Sequence, residues 1–355
     1  MNDKTLKKSL MSCRKILVVK PSSLGDIVHS LPFLNSIKTC FPKAEIHWVI
    51  AKGLEGLLEC HPMVDKLIII NKDMWKKLSR TTATIKEVRN LLTDIRSERY
   101  DLVVDLQGLL RSGVITMASR APVRIGFSEA REGSRLFYNV RVKGGRDVHA
   151  VERYMKIAGA LGCDEKNILF PFSLCNSELH TIEDMRSEIK EYAVIVPGAR
   201  WDTKIWAAGN FGRIASLLPL NSIVIGSRSD MEIAEKVVQS SGGKAISMAG
   251  STSLKELIEL MRHAKIVISN DSGPMHIAAG FHVPVVAIFG PTSPVRTGPY
   301  GKGHIIIQSD IECAPCFRKQ CSDLKCMRGI TVEQVYESIK NSSILWNPIA
   351  FINKK

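Results

Sequence analysis

Short runs of β-branched and apolar residues alternate along the chain with longer stretches whose apolar positions recur every three to four residues. In the first half, residues 15–20, 45–50, 67–70, 102–105 and 124–127 are continuous or half-apolar runs bounded by Pro, Gly, Asn or Asp, and they predict strands. Between them Ile27, Val28, Leu31, Leu34 and Ile37 fall on one helical face, as do Val88, Leu91, Leu92 and Ile95. Pro32 bends or restarts the first of these helices. The second half repeats the plan, with strands predicted at 192–196, 222–225, 245–248, 266–269 and 285–289, the last just after Pro284. Helices are predicted at 210–217, 230–239, 253–263 and 274–280, then one at 332–340, before an irregular tail holding Trp346 and Phe351.

Alternation of this kind predicts an α/β fold with two parallel, doubly wound sheets. At roughly 150 residues per domain, 355 residues agree with two domains. The polar stretch 163–191, with Pro171 and several Ser and Asn, reads as the connection. The boundaries follow as a first domain at 1–175, a linker at 176–191 and a second domain at 192–355. Two such halves facing each other would leave a cleft, and in doubly wound sheets ligands bind at the carboxyl ends of the strands. The loops after strands are therefore where chemistry is to be sought.

Composition narrows the classes. Hydrophobic residues make up 45%, enough for sizeable cores and unlike a disordered chain. The 49 Lys and Arg against 35 Asp and Glu leave +14, which calls for an anionic partner: nucleic acid, a membrane surface or a phosphorylated substrate. The apolar run 16–19 is too short for a signal-peptide core, and no run approaches the roughly 18 residues that span a bilayer. A cytosolic protein resting on a membrane through its charge is expected, with Met11 an alternative start. Without a signal peptide, the nine cysteines read better as thiols or metal ligands than as disulfides.

Five strand-end loops carry candidate chemistry. Pro21-Ser22-Ser23-Leu24-Gly25-Asp26 opens a helix without the glycine pattern of a dinucleotide fold or the Gly-Lys-Ser/Thr of a P-loop. Asp26 there is either a helix cap or a general base facing the cleft. In the loop 197–206 Lys204 is a candidate phosphate ligand, with Trp201 and Trp206 as candidate pocket walls. Asp230, after the Gly226 turn, is either an N-cap or a grip on ribose hydroxyls. Asp271-Ser272-Gly273, with Pro274 in the first helical turn, offers backbone N–H groups and a helix dipole to a diphosphate, and His276 lies within that turn. Gly290-Pro291-Thr292 follows the next strand. Together these loops predict a nucleotide diphosphate bound by the C-terminal half.

The segments KPSSLGDIVHSLP, DLQGLLRS, AREGSRLFYN, HAVER, PGARWDTKIW, SNDSGPMHIAAG and FGPTSP, in this order over nearly the whole chain, resemble glycosyltransferase family nine, the bacterial ADP-heptose:lipopolysaccharide heptosyltransferases. The resemblance implies a GT-B fold of two facing Rossmann-like domains, and the first four segments are similar to the type I enzyme. It implies an inverting transfer of heptose from ADP-L-glycero-D-manno-heptose to the Kdo of the inner core. Asp26 matches the family's base and Lys204 its donor-phosphate lysine. Asp230, Asp271, Ser272, Gly273 and His276 match the residues that hold the ADP portion. Lys76, Lys77, Arg111 and Arg131 match basic residues that grip the acceptor, and Arg153 does so less closely. A Kdo-lipid A acceptor at the cytoplasmic face of the inner membrane, with no required cofactor and no nucleic acid, is what the family implies.

Two departures stand out. Ala199 and Arg200 replace hydroxyl residues of the type I pattern, and Cys313-x2-Cys316-x4-Cys321-x4-Cys326 resembles a segment of type II and related enzymes. Those four cysteines read as a structural zinc or iron site, as free thiols or as disulfides. Other readings are a type II acceptor, another family-nine donor or acceptor, a GT-B epimerase, or a basic nucleic-acid-binding protein. Low aromatic content and the spread of basic residues over both halves speak against the last.

Overall fold

A computed structural model describes residues 3–71, 82–173 and 189–342. The chain forms two compact units, Met1–Cys175 and Asn176–Lys355. In the first, β1 (Lys15–Val19), β2 (Glu45–Ala51), β3 (Lys66–Ile70), β4 (Leu102–Asp105), β5 (Val123–Phe127) and β6 (Val140–Val142) form one sheet in the order β3-β2-β1-β4-β5-β6. Its strand pairs are parallel throughout. In the second, β7 (Tyr192–Val196), β8 (Asn221–Val224), β9 (Ala245–Ser247), β10 (Ile266–Asn270), β11 (Val285–Phe289) and β12 (Ile305–Gln308) form a parallel sheet in the order β12-β11-β10-β7-β8-β9. Counted from its own first strand, each sheet has the order 3-2-1-4-5-6, the Rossmann arrangement, with a switch point beside its first strand.

The central strands are covered on both faces, so their sequences are apolar throughout rather than alternating. Ile16, Leu17, Val18 and Val19 of β1 are fully buried, and so are Ile266, Val267 and Ile268 of β10. The edge strands are shorter and partly exposed, as in β6 and β9. Two of them, β6 and β12, have no counterpart among the predicted strands. At the amino ends of the first sheet Glu98 accepts from Lys15 of β1 at 2.9 Å and from Lys66 of β3 at 2.6 Å. This ties two strands together away from the strand-end loops. The two cations hold the Glu98 carboxyl down to about 2.

Helices fall where periodicity places them, with caps at the ends. The first apolar face is split into Leu24–His29 and Leu31–Cys40, and Pro32 lies in the first turn of the second, where its missing N–H costs nothing. Ser253 caps the helix Leu254–His263 by accepting from the Glu256 N–H at 3.2 Å. The helices at Asp3–Met11, Leu110–Ala118 and Ala150–Ala160 have no counterpart among the predicted ones. Trp206 is a core residue rather than a pocket wall: it is buried, stacks edge-on against Phe211 at 5.1 Å and donates to the Ile330 carbonyl at 2.9 Å. Cys60 also departs from expectation, being disulfide-bonded.

Candidate active site

In the first unit, β1 ends at the switch point, and the loop after it delivers Asp26 into the first turn of the helix Leu24–His29. One carboxylate oxygen does the capping work: Oδ2 accepts from the Ser23 N–H at 2.9 Å and from its hydroxyl at 2.7 Å. The other oxygen, Oδ1, faces elsewhere. It accepts from the Tyr154 hydroxyl at 3.3 Å and lies 3.7 Å from Lys20 Nζ. The capping role of Asp26 is thus met by Oδ2 alone, and Oδ1 has a different set of partners.

Lys20 closes β1 and is buried, with its Nζ also donating to the Leu106 carbonyl at 3.4 Å and lying 5.2 Å from the centre of the Tyr154 ring. Burial pulls the ammonium down, yet the charge of Asp26, with Tyr154 and Asp105 behind it, outweighs that and holds it above the usual lysine value. Tyr154, buried in the helix Ala150–Ala160, is pushed up chiefly by desolvation and stays a neutral donor. Nothing in the local pattern marks Tyr154, 128 residues from Asp26. Lys20 does leave a signal, as a charged residue directly after an apolar run, which Asp105 shares at the end of β4.

On the other side of the switch point, Asp105 ends β4 fully buried. It accepts from Tyr138 at 2.6 Å and from the N–H groups of Gln107 and Gly108 at 2.8 and 2.9 Å. Its carboxyl is pushed up by burial, against the pull of those bonds. Gly108 has a φ of +67°, the left-handed turn that lets this loop fold back. The Gly108 carbonyl accepts from Arg131 N–H at 2.9 Å, and the Glu132 carboxylate accepts from Leu110 N–H at 3.1 Å. The structure therefore brings together the loops that carry Arg111 and Arg131, both exposed. Arg153 is half-buried and stacks on Phe127 with its guanidinium 4.3 Å from the ring centre. Lys76 and Lys77 lie outside the described residues.

In the second unit the loops after β7 and β10 flank the equivalent switch point. Asn270 joins them, donating to the Pro197 carbonyl at 2.7 Å and accepting from the Trp206 N–H at 3.1 Å. Lys204 reaches Asp271 at 2.6 Å, and Thr292 donates to the same oxygen at 2.6 Å. Asp271 thus orients the lysine. Ser272 holds the N-cap position of the helix Gly273–Gly280 without a side-chain cap bond and directly follows Asp271, and a helix N-terminus is where first-turn N–H groups can receive an anion. His276 is buried in that helix. Asp230 accepts from the Ser227 N–H at 2.8 Å and its hydroxyl at 2.6 Å, so its carboxylate serves the helix start. A Cβ on Gly198 would come within 2.6 Å of that carboxylate, so Asp230 packs directly on the Lys204 loop.

The cysteine-rich segment docks on the same loops. Thr203 donates to the Arg318 carbonyl at 2.9 Å and the Phe317 N–H to the Pro291 carbonyl at 2.8 Å. Lys204 and Lys319 lie 4.7 and 5.3 Å from the Trp201 ring centre. Cys313, Cys316, Cys321 and Cys326 line one cavity of about 520 Å³ and carry free thiols. Among the described residues no three His, Cys, Asp or Glu side chains are arranged to hold a metal ion.

Two Rossmann units, one presenting a carboxylate at a strand end and the other a lysine beside a helix N-terminus, are the parts of a nucleotide-sugar-dependent glycosyltransferase. The chain belongs to glycosyltransferase family 9 (heptosyltransferase), whose sequence profile matches residues 88–327. It is similar to lipopolysaccharide heptosyltransferase 1 of Pseudomonas aeruginosa, at 30% identity over 317 residues, covering 87% of each chain. A family 9 glycosyltransferase structure from Veillonella parvula superposes with a TM-score of 0.80 at 24% identity, covering 94% of this chain and 97% of the other. The Escherichia coli heptosyltransferase WaaC with ADP-2-deoxy-2-fluoro heptose gives 0.74 at 24% identity, covering 92% and 99%.

Proposed function

We propose that this chain transfers a heptose from ADP-heptose to the Kdo-bearing inner core of lipopolysaccharide, as a peripheral protein on the cytoplasmic face of the inner membrane and with no required cofactor. The observation that carries the reading is the division of labour at Asp26: Oδ2 is occupied by Ser23 while Oδ1 faces Tyr154 and Lys20. Similarity to heptosyltransferase 1 over most of the chain supports the donor and the acceptor.

In this mechanism Asp26 takes the proton from an acceptor hydroxyl while that oxygen attacks the anomeric carbon. The carbon–oxygen bond to ADP breaks on the opposite face and the electron pair leaves with ADP, so the configuration inverts. Lys204, oriented by Asp271, and the N–H groups at Ser272 and Gly273 meet the developing diphosphate charge. Exposed Arg111 and Arg131, with Lys76 and Lys77, serve the acceptor's phosphates and carboxylates.

The cysteine-rich segment favours one competing acceptor, a core that already bears its first heptose. Purified protein assayed with ADP-heptose and Kdo-lipid A, with and without that heptose, separates the two. Transfer only to the heptose-free acceptor supports the reading; transfer only to the other replaces it.

A further inference from the structure

We propose that Lys20 and Tyr154 are positioning residues of the transfer, the buried ammonium keeping Asp26 ionised and the phenol fixing its reacting oxygen. The inference rests on Asp26 being the base and goes beyond it, since neither partner lies in the Asp26 loop.

Three observations combine. First, Lys20 is 3% exposed, so its charge is poorly screened by water and needs a nearby anion. The Asp26 carboxylate, 3.7 Å away and in part open to solvent, is that anion on the reacting side. Second, the Tyr154 hydroxyl bonds to Oδ1, the oxygen that Ser23 does not occupy. Third, backbone fixes both. Lys20 follows β1, where its carbonyl accepts from the Trp48 ring N–H at 3.2 Å. Tyr154 sits on the buried face of the helix Ala150–Ala160, and its neighbour Arg153 stacks on Phe127. A carboxylate held in this way meets the acceptor hydroxyl in one orientation, which is the pre-organisation that general-base catalysis rewards.

Other titratable groups on the packed elements are Asp105 behind Lys20, Arg153 beside Tyr154, and the rings of His29 and His149, whose centres are 5.1 Å apart. Asp105 is already bonded to Tyr138 and two backbone N–H groups, so it does not replace Asp26 as the partner of the ammonium.

An opposite charge this close favours the ionised carboxylate, so its removal makes protonation easier. In Lys20→Met the acid limb of the kcat/KM profile for the acceptor moves to higher pH by about one unit. Lys20→Arg restores the limb in large part. Tyr154→Phe keeps the fold and lowers kcat about tenfold, with a smaller upward movement of the limb. ADP affinity, measured calorimetrically, stays within twofold in every variant and controls for folding. Superposable pH profiles for Lys20→Met, Tyr154→Phe and the unaltered enzyme overturn the proposal. Should Lys20→Met not fold, Tyr154→Phe decides alone: unchanged kcat and limb refute it. Asp26→Asn separates this from the reading beneath it. An inactive Asp26→Asn with unmoved profiles in the other variants removes only the positioning roles, whereas near-normal turnover in Asp26→Asn removes the base as well.

Discussion

At the scale of single residues, Asp26 and Lys204 hold corresponding places in the two units, each in the loop after a first strand, with opposite charge. Asp26→Asn is expected to lower transfer by about 10²–10⁴-fold while ADP binding persists, which turnover and calorimetry together check. The same substitution leaves the Lys20 ammonium without its nearest carboxylate. It is therefore expected to cost about 1–3 kcal/mol of stability, in part regained in the double variant with Lys20→Met. Lys204→Met removes a cation already oriented by Asp271, so ADP should bind about tenfold more weakly and AMP nearly as before. Equal losses for both nucleotides would place Lys204 away from the β-phosphate. Asp26 was legible in the sequence because strand, turn and helix start are adjacent there. Its partners were not: the bond to Tyr154 spans 128 residues, and no period or spacing encodes such a meeting. Asp230 repeats the arrangement in the second unit, with Oδ2 bonded to Ser227 at the helix start, and those bonds leave its other oxygen unassigned.

At the scale of elements, the central strands were the plainest to read, because burial on both faces writes an unbroken apolar run. The edge strand β6 has only three residues with the exposed Arg141 at its centre, which leaves no such run, whereas β12 does carry one, Ile305–Ile307, too short to stand out. The Glu98 clamp on β1 and β3 was equally hidden, since Lys15, Lys66 and Glu98 come from three separate segments. A carboxyl held near 2 contributes stability above its unfolded value of about 4.5 and loses it as pH falls through the folded one. Glu98→Gln is therefore expected to lower unfolding free energy by about 1 kcal/mol at pH 7, the difference fading as pH falls from about 4.5 toward 2. Urea titrations across that range check it, and a difference that grows on acidification would count against the clamp. The cysteine-rich segment can be tested through Gly290. A Cβ there would lie 2.3 Å from Met327 Sδ and 3.2 Å from Cys326 Sγ. Gly290→Ala is expected to cost about 1–3 kcal/mol by displacing that segment, with weaker ADP binding because the segment is bonded to the Lys204 loop through Thr203. Unaltered stability would mean that the segment yields without consequence.

At the scale of the whole chain, the proposed roles of Lys204, Arg111 and Arg131 give part of the +14 charge a use. Among the described residues no helix is long and apolar enough to cross a membrane. On the proposed peripheral location, attraction of the net positive charge to anionic lipid is the expected means of surface association, and it is screened by salt. Raising salt from about 0.05 to 0.5 M should release the protein several-fold from vesicles containing anionic lipid, as sedimentation would show. Equal retention on neutral vesicles would exclude charge as the cause. The two-sheet plan was readable because the chain states it twice, and the strand order repeats as well. That repetition gives each half the same topological address, the turn leaving its first strand. Asp26 stands there in one half and Lys204 in the other. On the proposed roles, one topological position then serves both ends of the displacement, the nucleophile from the first half and the leaving group from the second.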